Sequence, residues 1–129
     1  MTFPYQYTPP GKYPSLSDGE LVDVLCALTQ DLVNLRSDLA NLTSQHNAQF
    51  FRVFLDAAGE SVSARNRLAE AETLQLTGEK VECEANIAAT VDLCTMARTI
   101  LELRRTHEAD DRGQDRLGQG GRRPQGEVP

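Results

Sequence analysis

Leucine recurs through the first half of the chain in a stepped series, at positions 21, 25, 28, 32, 35, 39 and 42. The steps alternate between four and three residues, which is the heptad of a helix that buries one seam. Leu25, Leu32 and Leu39 form its a row, and Leu21, Leu28, Leu35 and Leu42 its d row. The helix start is also written in the residues. Ser17 stands three positions before Glu20, the spacing of a reciprocal capping box, and Leu16 and Leu21 sit where a hydrophobic staple closes. The leucines then give out: His46 takes the next a position and Gln49 the next d. The aromatic patch QFFRVFL follows, and the pattern predicts one helix over about 17–57.

The stretch FLDAAGESVSARNR breaks the pattern. Gly59 suits a left-handed residue just past a helix end, and Ser61 suits the N-cap of a following helix. The spacing predicts a turn at 58–61 and a second helix over about 62–106. Gly78, in LTGEK, is either a close helix contact or a break capped by Thr77. A turn centred near residues 59–60 sets residue i across from about 119 − i. Leu25 then faces Cys94, Leu28 faces Val91 and Leu32 faces Ile87. Leu35 and Leu39 fall opposite Glu84 and Lys80, so Cys83 and Val81 must rotate in.

The second helix carries two apolar stripes. One is Cys83, Ile87, Val91, Cys94 and Leu101. The other is Leu68, Val81, Ala85, Ala88, Met96, Ile100 and Leu103. A single antiparallel neighbour covers only the first, and so broad an apolar face calls for a second neighbour. The expected fold is all-α: an antiparallel helical hairpin spanning 16–106, with a coiled-coil first helix, assembled into a homo-oligomeric bundle. Residues 1–15 hold four prolines among Phe3, Tyr5, Tyr7 and Tyr13, which predicts an extended arm. Residues 107–129 have mixed charge and almost nothing apolar, which predicts a disordered tail.

Charge narrows the function. Charged residues make up 25% of the chain and the formal net charge is −6. That balance excludes attachment to nucleic acid or membrane by bulk positive charge. No apolar run approaches the ~18 residues of a membrane span, and MTFPYQYTPPGKYP lacks the pattern of a signal peptide. Cys26, Cys83 and Cys94 form no C-x-x-C pair, which suits a reduced, cytoplasmic setting.

The polar residues suggest no catalysis, metal, cofactor or small-molecule substrate. His46 stands on the seam without the spaced ligands a metal needs, and His107 is far off in the tail. The cysteines lack a neighbouring base and read as small apolar side chains. Glu70, Glu72, Glu79, Glu82 and Glu84 spread around the helix as a solvated face. Arg52, Arg65 and Arg67 gather at the turn beside Phe51 and Phe54. Arginine interleaved with aromatics is a pairing that holds single strands by charge and stacking; the same arginines also suit salt bridges to Asp56 and Glu60.

Two segments, FRVFLDAAGESVSARNRLAEAE and EANIAATVDLCTMARTILELRR, resemble the recombination mediator family of tailed bacteriophages over about residues 50–106. The shared features are a helix ending in Ala-x-Gly-x-Ser-Val, then Arg65 and Arg67, then a helix ending in arginines. The resemblance implies a small, helical, oligomeric protein that holds single-stranded DNA and helps load a recombinase, without catalysis of its own. It places Arg65 and Arg67 where that family has DNA-contacting residues. The expected function is therefore a non-enzymatic assembly protein of this kind. The alternative is a scaffold coiled coil that takes a protein partner through its N-terminal aromatic arm.

Overall fold

The computed structural model describes residues 8–127, with side chains up to Gly113. Every regular element among them is helical. A 3₁₀ segment at Pro10–Ser15 leads into α1, Asp18–Asp56; α2 is Val62–Glu72 and α3 is Leu74–Glu127. None of these helices is long and apolar enough to cross a membrane.

Helix α1 begins as its sequence dictates. The Glu20 amide donates to Ser17 Oγ and the Ser17 amide to Glu20 Oε1, both at 3.1 Å. The Ser17 amide, with the Ser17 side chain adding to it, holds the Glu20 carboxyl below the ordinary carboxylate range. The helix then packs along α3 and, towards its C-terminus, along α2.

Cys83 fixes the register, its thiol reaching the Leu35 carbonyl at 3.3 Å. Counting in sevens from that pair sets Leu28 level with Thr90 and Leu21 level with Ala97. All six of these side chains are buried. Each level thus sets one large leucine against one small residue, which lets the two backbones approach while the leucine fills the gap. In the other direction the same count brings Leu42 level with Leu76, both half-buried, and Gln49 level with buried Ala69. This register is one residue from the 119 − i expectation. Cys83 turns inward as the sequence requires, but Val81 does not and is 60% exposed. The leucine rows also part company. The d-row residues Leu21, Leu28 and Leu35 are buried, whereas Leu25, Leu32 and Leu39 of the a row are half-buried along one edge.

Three expectations need correction. The first concerns the arm. Pro10–Ser15 is not extended but a 3₁₀ helix, and Tyr13 is wholly buried among Leu21, Leu28, Leu93, Cys94 and Ala97. The fixed φ of Pro10 and Pro14 fits a 3₁₀ turn as well as an extended path, and burying an aromatic ring tips the balance. Leu93 and Ala97, absent from both predicted stripes, are covered by this segment. Phe3, Tyr5 and Tyr7 lie outside the described residues.

The second correction concerns the long helix after the turn. It is interrupted at Thr73, whereas Gly78 lies within α3 with open space where its Cβ would be, so it is neither the break nor a close helix contact. The Thr73 hydroxyl donates to the Ala69 carbonyl at 2.7 Å, a back-bond that bends helices. Gln49 Nε2 meanwhile takes the Glu72 carbonyl at 3.1 Å. The first polar d position of α1 therefore lands where the facing helix is interrupted.

The third correction is at the far end. Helix α3 does not stop near Thr106; its backbone stays helical to Glu127, where composition predicts disorder. Glu108 and Arg112 form an i,i+4 pair at 3.6 Å, a spacing that supports an exposed helix. Arg104 ties the other side of this end, donating to Asp18 Oδ1 at 2.8 Å and to the Pro14 carbonyl at 2.9 Å.

The Tyr13 hydroxyl is buried without a hydrogen-bond partner. Tyr13→Phe removes that unpaired group and should raise stability to urea by about 1 kcal/mol, whereas Tyr13→Ala should cost about 3 kcal/mol; a destabilised Tyr13→Phe would refute the unpaired assignment. Burial also pushes the Tyr13 phenol and the Cys83 and Cys94 thiols above their ordinary values. Asp38 and the neighbouring glutamates reinforce this at Cys83, the Cys94 thiolate does so at Tyr13, and Arg98 partly offsets it at Cys94. For acids with raised folded pKa values, the stabilisation is full below the ordinary thiol value of about 8.5 and is lost as pH rises through the folded values. The urea midpoint should accordingly hold steady from pH 6 to 8 and fall at higher pH.

Candidate functional site

The turn between α1 and α2 gathers the chemically distinctive side chains. Its backbone closes without a left-handed residue: no glycine among the described residues has positive φ, so Gly59 does not play the role its position suggests. The Ala57 amide still bonds the Val53 carbonyl at 3.1 Å, and the Glu60 amide bonds Ala57 at 3.0 Å. Ser61 caps α2 as expected, its hydroxyl accepting from the Ala64 amide at 3.2 Å.

Four residue spacings in α1 put His46, Phe50 and Phe54 on one face. The His46 and Phe50 rings stack with centroids 6.0 Å apart, and Phe50 and Phe54 stack at 6.4 Å and 13°. Phe51 meets Phe50 edge-on at 6.3 Å. Arg65 completes the row from the other side of the turn. Its guanidinium lies 3.9 Å above the Phe54 ring, and its Nε donates to the Phe54 carbonyl at 2.8 Å. The result is a column of four flat groups, His46, Phe50, Phe54 and Arg65, all half-buried. It joins α1 to α2 through a cation–π contact and a charge-assisted hydrogen bond.

The three arginines named from the sequence are thus divided by the fold. Arg65 braces the turn, with Phe54 as its partner in place of Asp56 or Glu60. Arg52 and Arg67 are exposed. Phe51 and Leu55 are exposed on α1, and Val62 at the start of α2. The end of the molecule therefore offers aromatic and aliphatic surface beside two solvent-facing guanidinium groups. The apolar part, Leu55 and Val62, was not singled out in the sequence, where both look like ordinary helix-face residues.

Other candidate groups stand apart from this end. Cys26 is exposed while Cys83 and Cys94 are buried, and all three are free thiols. Glu70, Glu72, Glu79, Glu82 and Glu84 are exposed. Of the seam leucines, those of the a row line an open edge of α1 where Val22, Cys26 and Val33 are also exposed. No protein-family model, curated protein or solved structure matches this chain.

Replacing Arg65 with alanine should lower stability by about 1–2 kcal/mol, the combined scale of one charged hydrogen bond and one cation–π contact. Arg65→Lys should recover only part of this, because a single ammonium has no planar face to lay on the ring and no separate Nε–H to bond the Phe54 carbonyl at the same time. Urea melts of the two variants check both outcomes, and an unchanged midpoint in Arg65→Ala would remove the brace.

Proposed function

We propose that this chain is a non-enzymatic, self-assembling helical protein. Its unit is an antiparallel hairpin whose leucine-rich first helix serves as a coiled-coil element, and several units combine into a bundle. The observation that carries the proposal is the outer side of α3. Leu74, Val81, Met96 and Leu103 are 70%, 60%, 43% and 64% exposed. They lie on the side of the helix away from α1, with the exposed alanines 85 and 88 between them. A helix this apolar on both sides normally has a neighbour on each.

A second reading concerns what the assembly holds. The turn end presents Phe51 beside Arg52 and Arg67, the combination suited to stacking bases and neutralising phosphates. With the resemblance over residues 50–106, this supports association with single-stranded DNA and a recombinase, in the manner of a phage recombination mediator. In this reading Arg52 and Arg67 contact phosphate, and Arg65 holds the platform in shape. One copy offers little positive charge, so binding depends on several turn ends acting together. The scaffold alternative, in which the N-terminal aromatics capture a partner, has less support, since Tyr13 is engaged within its own chain.

Sedimentation of the purified chain at micromolar concentration should show an assembly. A folded single copy throughout that range would overturn the proposal. Fluorescence anisotropy with a labelled oligonucleotide tests the second reading. Binding should weaken as salt rises and fall about tenfold or more in the Arg52→Ala/Arg67→Ala variant; equal binding by the variant would exclude the turn end.

A further inference from the structure

We infer that the outward stripe of α3 is a two-fold seam on which a second copy of the chain lies antiparallel, an inference that rests on the self-assembly proposed above. The order of residues in the stripe points to this geometry. Leu74 and Leu103 are equidistant from the midpoint between Ala88 and Ala89. So are Val81 and Met96, and so are Ala85 and Asp92. A face shared by both copies of a two-fold dimer has to present each contact twice, once in each direction. Laid antiparallel about that midpoint, Leu74 of one copy meets Leu103 of the other, and Val81 meets Met96. The centre is alanine on both sides, so the two backbones approach closely where they cross.

Charge selects the same direction. Asp92 lies within the stripe, and Glu84 and Glu102 border it; all three are exposed. A parallel pair in register sets each of these carboxylates against its own copy. The antiparallel pair sets Asp92 against Ala85 and leaves Glu84 near Asp92, an approach the two-fold makes twice, so it carries two like-charge contacts where the parallel pair carries three. The extent of the stripe also fits. From Leu74 to Leu103 it runs about 44 Å at 1.5 Å per residue, on a helix about 10 Å across. That gives on the order of 500 Å² per copy, towards the low end of specific interfaces. The stripe begins one residue after the bend at Thr73, so it lies wholly on the α3 side of that bend. Leu68, exposed on α2, falls off the seam.

The test uses the full chain in two arms. Val81→Glu with Met96→Glu places four carboxylates in the seam of a dimer. Sedimentation should show the dissociation constant of the pair raised at least about tenfold, with the helical circular dichroism unchanged because both positions face solvent in the single chain. For the direction, Leu74→Cys and Leu103→Cys are made separately in a Cys26→Ser background, which leaves only the buried native thiols. Oxidation of the mixture should give a cross-linked dimer, while neither variant alone should. Bridging of Leu74→Cys with itself overturns the antiparallel seam. So does assembly that ignores the Val81→Glu/Met96→Glu pair, which would leave self-assembly standing on another face. A wild-type chain that stays single overturns the seam and the self-assembly together.

Discussion

The structure rests on a size rule repeated every seven residues. Leu35 meets Cys83, and the same spacing sets Leu28 level with Thr90 and Leu21 with Ala97. Large against small keeps two long helices close enough to exclude water from a core that is only one side chain deep. Enlarging the small partner would hold the helices apart, and shrinking the leucine would leave a void. Much else follows from that strip. It sets where the chain can bend, because the polar Gln49 falls due just as the series runs out of leucine. It also decides which apolar residues are left over, because so narrow a core takes the inward side of α3, Cys83, Thr90, Leu93, Cys94 and Ala97, and leaves the outward side bare.

Much of this fold was legible in the sequence, and the parts that were not share a cause. The capping box, the turn, the N-cap at Ser61 and the near-correct register all follow from local chemistry or simple periodicity. The missed features depend on contacts between distant segments. Nothing in PGKYPS says that Tyr13 will bury itself against Leu93 and Ala97; equally, nothing around Leu93 says it will be covered. Gly78 suits either a close helix contact or a break by its lack of a side chain, and it is neither. The bend came at Thr73, where a hydroxyl and a cross-helix glutamine compete for carbonyls.

The candidate site shows the same split. His46, Phe50 and Phe54 share a face by spacing alone. That Arg65 would turn inward onto Phe54 depended on the geometry of the turn, and it changes the reading of the arginine cluster. One of its three members serves the fold, and the other two face solvent. Cations with both a ring and a carbonyl to hold are poor indicators of an external ligand. Their exposed neighbours carry more of the functional argument.

The two ends of the helix pair are fastened by different kinds of contact. At the turn, Arg65 grips a carbonyl and a ring at the end of a half-buried column. At the opposite end, Arg104 reaches the exposed carboxylate of Asp18 and the Pro14 carbonyl, beside the apolar cluster around Tyr13. Counter-ions weaken the second fastening far more than the first. In concentrated electrolyte the Arg104–Asp18 contact should therefore slacken, while the apolar Tyr13 cluster at the same end keeps the start of α1 in place.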